Sequence, residues 1–476
     1  MACLLLAGTP GLLAGDAHAA GVETPPASDP KIQRIQLHRN GERSINYVPL
    51  RRQLQPERTG TLQMRVIARI DLDGDPLANV RGNVYPIDVD GNGSYAFLHY
   101  NGYRFMRIYN ADGTKRWQID DPKGRVHKDT VHRDTLAVLD IDGDRKQEII
   151  HCWANHATGS KRLVIRRGTN GSIVRQVDLD APKSDICQLG VFYVTGRPDP
   201  IILVSHRVKA PDSCDHNFTD YWARTVAYDL RLNKLWDRNT CNAGHYVYPV
   251  DANFDGYAEA IFVGRHLFNV DGTQRCRFPF WGSDHADAVN VADFVPARSG
   301  MEAIVVGASG LQMVDVDDCT VLWTKPKSVI DNPQHLGVAW LDPNAVTPTI
   351  TVRSKGTVAS PKVYMLDGSG RILKTFATGM IGSFIPIQNA NLDGAQGSDD
   401  LVGQFAQVAD RSGGMRLTKF WYWNLKGTKV QEVPGQYPYS YDRWSAFPVV
   451  ADLDRDGRDE IVEWSQSLIV VGKAVD

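Results

Sequence analysis

The chain has 476 residues, 42% of them apolar and 23% charged, with a formal net charge of −2. That balance excludes a protein that holds nucleic acid by overall charge, so an electrostatic partner must be met by a local patch. The 42 glycines and 25 prolines lie along the whole length, which favours many turns and an all-β fold.

The first residues, "MACLLLAGTPGLLAGDAHAAG", contain an apolar run and end in Ala17-His18-Ala19. This reads as a secretory signal peptide over 1–20, giving a secreted or periplasmic protein. No later apolar run is long enough to span a membrane, and a monomer without membrane or nucleic-acid partners is expected. Residues 21–60 are polar, carry the basic stretch "VPLRRQLQPER" and read as a linker with little fixed structure. Beyond the leader lie six cysteines: Cys152, Cys187, Cys214, Cys241, Cys276 and Cys319. An even number in an exported chain points to disulfides. Pairing in sequence order, Cys152–Cys187, Cys214–Cys241 and Cys276–Cys319, closes the shortest loops, among fifteen connectivities that six cysteines allow.

From residue 61 onward one phrase repeats: an apolar strand, a carboxylate-rich turn, another apolar strand. The turns fall at Asp88, Asp140, Thr195, Asp251, Asp293, Asp342, Asn391 and Asp452. Their spacing of about 40–60 residues accommodates four strands and their loops. Several units close on a second phrase, as in "RIYNADGTKRWQI", "FNVDGTQRCRF", "MVDVDDCTVLW" and "YMLDGSGRILKTF". Each is a strand, a tight turn and a strand, the signature of a hairpin. Strand, acidic turn, strand, loop and hairpin make one blade of a β-propeller. The count is eight blades over 61–476, or seven if the unit near Asp342 is not a true blade. The last unit is one strand short, and Thr61–Leu72 is expected to supply it and close the ring, hiding the edges.

The acidic turns suit a hard cation. "DLDRDGRDE" sets Asp452, Asp454 and Asp456 at alternate positions, then a glycine and Glu460. "DANFDGYAE" gives Asp251, Asn253, Asp255 and Glu259, and "DIDGDRKQE" gives Asp140, Asp142, Asp144 and Glu148. "DVDGNG" gives Asp88, Asp90 and Asn92 without the glutamate. Alternate oxygens can wrap Ca²⁺ while the glycine allows the bend, and the expected role is structural. Asx-turn chemistry alone also accounts for such carboxylates.

In a blade, the start of the first strand and the end of the second lie away from the acidic turn. Those places are rich in cations. His132, His245, His285, His335 and Arg443 stand six to nine residues before their turns, and His99, His151, Arg207, Arg265 and Arg353 end second strands. Tyr100, Trp153, Tyr193, Tyr246, Trp281, Tyr441 and Trp444 accompany them. A cationic, aromatic mouth suits an anionic polysaccharide, because guanidinium holds carboxylates and rings stack on sugars.

The phrases "GHYVYPVDANFDGYAEAIFVG" and "GSDHADAVNVADFVPARSGMEAIVVGASG" resemble those of rhamnogalacturonan lyases, whose catalytic domain is an eight-bladed, calcium-binding propeller. In size and in its His-rich second blade the chain also resembles propeller ulvan lyases and rhamnose–glucuronate lyases. The resemblance implies β-elimination at a rhamnosyl–uronic acid linkage, leaving an unsaturated uronate. Those families use two histidines about twenty residues apart, then a tyrosine, then an arginine. Here His132 and His151 are 19 apart, followed by Tyr193 and Arg207. The implied roles are a histidine base, Tyr193 as the acid and Arg207 neutralising the uronate carboxylate. Tyr246 with Arg265 is a rival pair. His99, Tyr246, Arg265, His285, His335, Arg353, Arg443 and Trp444 are expected to bind substrate. The alternative is a non-catalytic, calcium-bearing propeller that binds glycan or protein.

Overall fold

A computed structural model of the chain describes residues 31–37, 42–49, 63–72, 83–101, 104–121, 136–155, 160–179, 187–206, 224–241, 244–245, 247–278, 285–341, 345–354, 362–377, 387–392, 400–408, 414–423, 429–434, 441–442, 449–464 and 468–475. Among these every regular element is a strand, and the strands form eight antiparallel sheets. Most sheets follow chain order from an inner to an outer strand; the blade 5 sheet also carries an N-terminal hairpin on its inner edge, and the last sheet takes its outer strand from residues 63–71.

Blade 1 is Asn83–Ile87, Ala96–Asn101, Phe105–Asn110 and Lys115–Asp120. Blade 2 is Leu136–Leu139, Glu148–Asn155, Ser160–Arg167 and Ile173–Leu179. Blade 3 is Cys187–Phe192, Ile201–His206, Arg224–Tyr228 and Lys234–Asn239. Blade 4 is Val247–Val250, Ala260–Val263, His266–Asn269 and Gln274–Arg277. Blade 5 is Ala288–Ala292, Glu302–Gly307, Gly310–Asp315 and Val321–Pro326. Blade 6, the unit near Asp342, has all four strands: Pro333–Ala339, Thr349–Ser354, Lys362–Leu366 and Ile372–Ala377. Asp342 itself lies outside the described residues. Blade 7 is Ile387–Ala390, Asp400–Val408, Gly414–Trp423 and Lys429–Pro434. Blade 8 is Val449–Ala451, Glu460–Trp464 and Leu468–Val475, completed by Gln63–Asp71. That last pairing, Gln63↔Val475 through Asp71↔Leu468, closes the ring as expected.

The burial of each strand follows from its place. Second and third strands are covered on both faces and read as apolar runs, such as "IILVSH" and "EAIVVG", fully buried. Fourth strands are half exposed and alternate, as in "KRWQID". The apolar clusters lie between neighbouring blades: blades 2 with 3, 3 with 4, 4 with 5 and 5 with 6 each share one, and blade 1 shares one with blades 2 and 8. Around the rim, outer strands grip the next blade through side chains that alternate in type. Trp117, Trp236 and Trp323 donate Nε1–H to the carbonyls of Gly168, Val270 and Gly368 at 2.8, 3.0 and 2.8 Å. Arg175 and Arg275, on the blades between, donate to Leu230 and Val316 carbonyls.

Two disulfides follow the expected pairing. Cys152–Cys187 ties blade 2 to blade 3, and Cys276–Cys319 ties blade 4 to blade 5. Cys241 is also disulfide-bonded; its expected partner, Cys214, lies outside the described residues.

The segment expected to be a linker differs from expectation. Lys31–Leu37 and Arg43–Pro49 form a hairpin, and Ile32 pairs with Ala292 on the inner edge of blade 5. An inner strand has no partner within its own blade on the channel side, so its free edge accepts another strand. The hairpin therefore sits in the central channel. Buried Gln33 donates to the Pro249 carbonyl and accepts from Asp251 N–H, at 2.6 and 2.8 Å. Glu42 accepts from Asp140 N–H at 3.1 Å, and Arg43 lies over the Tyr85 ring. Polar composition concealed the segment because its partners are the polar turn ends of other blades.

Candidate active site

Each inner strand runs from one end of the ring to an acidic turn at the other. In blade 2, Asp140 accepts N–H bonds from Gly143 and Arg145, both 2.8 Å, and Glu148 accepts from Ile141. In blade 4, Asp251 accepts from Gly256 at 2.6 Å and Glu259 from Ala252 at 2.8 Å. In blade 8, Asp452 accepts from Arg455 and Gly457, and Glu460 from Leu453. The first aspartate shapes the loop and the closing glutamate clips it from behind. This gathers three carboxylates in each case, sets that could hold a metal ion: Asp140, Asp142, Glu148; Asp251, Asp255, Glu259; Asp452, Asp454, Glu460. Asp144, Asn253 and Asp456 are outside those sets and hydrogen-bond within the turn instead. Burial pushes Glu148 up to about 7 and Asp251 up to about 6, against the backbone N–H bonds that favour their charge. A fourth closing carboxylate, Glu302 of blade 5, accepts from Phe294 and Val295 N–H and is likewise raised by burial to about 7. The sequence reading missed it because "FVPAR" breaks the alternating carboxylate frame.

At the opposite mouth, two imidazoles meet. His285 Nε2 and His245 Nε2 are 3.0 Å apart, with rings edge to face. Asp287 Oδ1 lies 3.4 Å from His285 Nε2 and 3.6 Å from His245 Nε2. The two histidines keep 17% and 20% exposure while Asp287 keeps 4%, so the carboxylate forms the floor beneath accessible rings. These three residues also form a set that could hold a metal ion. Backbone geometry brings them together. Gly244 forms a parallel bridge to Ala286, and His245 N–H donates to the Ala286 carbonyl at 2.9 Å. Gly244 has φ +117°, and a Cβ there would stand 2.0 Å from the Ala286 oxygen. Only glycine lets blades 4 and 5 approach this closely. Asp287 Oδ2 is buried without a hydrogen-bond partner among the described residues.

Arg265 of blade 4 is buried and donates to the Cys241 carbonyl at 3.4 Å. In blade 6, His335 pairs directly with Arg353 across the strands; both are buried, and burial lowers Arg353 to about 9.

The remaining predicted residues are placed differently. His151 is 0% exposed; its Nε2 faces the Arg166 Nε–H at 3.1 Å and its Nδ1 the Cys152 carbonyl at 3.2 Å. Burial first, then the Arg166 charge, lowers it to about 3, so it is a packed neutral ring, not an accessible base. His99 is also buried, lies against Phe105 at 4.7 Å and is lowered by burial to about 3. Tyr193 lies at the other end of the ring: its ring contacts Tyr257 of the blade 4 acidic turn, and its carbonyl accepts Ala258 N–H. It follows the strand Cys187–Phe192 toward the Thr195 turn, which separates it from the histidine mouth. His132, Arg207, Tyr246, Trp281, Arg443 and Trp444 lie outside the described residues.

No protein-family model matches the chain. It is similar to the rhamnogalacturonan exolyase YesX of Bacillus subtilis (strain 168), 25% identical over 307 residues, covering 53% of this chain and 49% of that one. It is also similar to the rhamnogalacturonan endolyase YesW of the same organism, 23% identical over 305 residues, covering 50% and 46%. The chain thus spans about half the length of the curated relatives it matches. Among solved structures, exotype rhamnogalacturonan lyase YesX matches with TM-score 0.62 and 20% identity, over 82% of this chain and 71% of that chain. A Bacillus licheniformis rhamnogalacturonan lyase matches with TM-score 0.58 and 18% identity, over 90% and 78%. The resemblance read from the sequence is thereby borne out: the fold is that of the propeller-type polysaccharide lyases.

Proposed function

We propose that the protein is a secreted polysaccharide lyase that cleaves a rhamnosyl–uronic acid linkage by β-elimination, leaving an unsaturated uronate. The observation that carries this reading is the His245–His285–Asp287 group at the mouth opposite the acidic turns. Likeness to enzymes named rhamnogalacturonan lyases supports the substrate class. Elimination removes the C5 proton of the uronate, forms the C4=C5 double bond, breaks the C4–O bond to the next sugar and returns a proton to the leaving oxygen from the imidazole pair, with no water consumed. The anion at C5 is accessible only when the neighbouring carboxylate is neutralised. An imidazole of the His245–His285 pair accepts the proton. Asp287 beneath the rings orients that pair and favours its protonated form as the proton arrives. Arg265 and Arg353 supply positive charge behind the mouth, and Arg207 and His132 of blades 3 and 2 belong to the same proposal. The orphaned Asp287 oxygen with two imidazole nitrogens also fits a divalent cation, which when bound would neutralise a substrate carboxylate. The acidic turns of the other face are proposed to hold structural Ca²⁺. The test is the near-ultraviolet absorbance of an unsaturated uronate, released from rhamnose–uronate polymers by the wild-type protein and lost in His285→Ala. Binding of these polymers without any absorbance change would instead establish a glycan-binding propeller.

A further inference from the structure

The acidic turns of blades 2, 4 and 8 share one frame, yet they differ in the residue facing the closing glutamate across the second and third strands. In blade 8 that residue is Lys473, in direct register with Glu460. Its Nζ lies 3.0 Å from Glu460 Oε1 and 2.8 Å from Asp456 Oδ2, and is hydrogen-bonded to Asp454 Oδ2. In blade 2 the residue is Arg167, in register with Glu148, whose guanidinium stops 3.7 Å from Asp142. In blade 4, extending the Ala260↔Asn269 ladder by one residue brings Val270 to that place. The turns of blades 1 and 5 also carry their own cations: Arg116 pairs with Asp90 at 2.5 Å, and Arg298 with Asp315 at 2.8 Å.

We propose that Lys473 is the resident cation of the blade 8 turn, and that the residue opposite the closing glutamate decides whether a turn of this frame accepts a divalent metal. Opposite-charge groups directly across a strand pair lie on one face within reach of each other. A lysine there delivers its ammonium into the space between the carboxylates at no cost in binding entropy from solution. A metal ion must then displace a tethered charge that already neutralises the carboxylates. Arginine is longer and flat, and in blade 2 it stays at the edge of the carboxylate group, leaving the interior to an ion. Valine in blade 4 offers no charge at all. Metal affinity therefore falls in the order blade 4, blade 2, blade 8.

This inference rests on the calcium reading above, and its test separates the two. Full-length protein is stripped with chelator, dialysed against Ca²⁺, and its bound ions counted by elemental analysis. Lys473→Met is expected to bind one more ion per chain than wild type, and Val270→Lys one fewer. A folded Lys473→Met protein with the wild-type count overturns the inference while leaving the calcium reading intact. Wild-type protein with no bound ion overturns the calcium reading, and an ion gained by Lys473→Met still supports the inference. If Lys473→Met unfolds on chelation, recovery of its circular dichroism on adding Ca²⁺ supports the inference, and failure to recover overturns it.

Discussion

Replacing His99 by phenylalanine tests whether the buried second-strand imidazoles are core or site. His99 is 1% exposed, neither ring nitrogen has a hydrogen-bond partner among the described residues, and burial followed by the Arg107 charge lowers its pKa from 6.5 to about 3. The folded state refuses a proton that the unfolded chain takes up below about pH 6.5. His99 is therefore neutral in its effect above that value and subtracts stability as pH falls from 6.5 toward 3. At pH 5 the gap is one and a half pH units, or about 2 kcal/mol. Phenylalanine cannot titrate and leaves no unsatisfied ring nitrogen, whose burial costs about 1–3 kcal/mol; its larger ring returns part of that gain as overpacking. The expected outcome is a variant at least as stable as wild type at pH 7.5, with a further advantage of about 2 kcal/mol at pH 5, measured by urea unfolding. Activity on a rhamnose–uronate polymer should be unchanged. Equal destabilisation at both pH values, or loss of activity, would refute the assignment of His99 to the core.

Further outcomes follow from the same geometry. His285→Ala and Asp287→Asn should each lower unsaturated-uronate formation at least about 100-fold, the scale of a lost acid–base group, with wild-type circular dichroism. Gly244→Ala should destabilise by about 2–4 kcal/mol, from strain at positive φ and overpacking against Ala286, and should lose activity beyond its loss of melting temperature because His245 is displaced. Replacing Cys276 and Cys319 together by serine opens a loop of 43 residues and should cost about 4 kcal/mol by chain entropy, read as a lower thermal midpoint at unchanged activity. His151→Leu should alter stability while leaving the kinetics of folded protein intact.

The repeat was legible because its signals are local. Strand alternation, Asp-Gly hairpins and the one-strand deficit of the last unit are all written within a few residues, and they specify the sheets and the closure by Gln63–Asp71. Two of the sequence-order cysteine pairs, Cys152–Cys187 and Cys276–Cys319, formed because adjacent blades are adjacent in sequence. The histidine mouth was only half legible. His245 and His285 were placed on the correct rim by their distance from the acidic turns, but their meeting depends on the Gly244–Ala286 bridge between blades, which no single repeat contains. His151 and His99, expected at the same rim, are buried at their second-strand ends, and position relative to the turn does not reveal burial. Tyr193 stands two residues before Thr195, a spacing that assigns it to the acidic end.

The N-terminal hairpin is also a long-range staple. Through Glu42 it holds the Asp140 N–H of blade 2, through Gln33 the Asp251 N–H and Pro249 carbonyl of blade 4, and through Ile32 it pairs with Ala292 of blade 5. A segment that precedes the ring in sequence thus ties together blades that share no sheet, and loosening it would loosen all three.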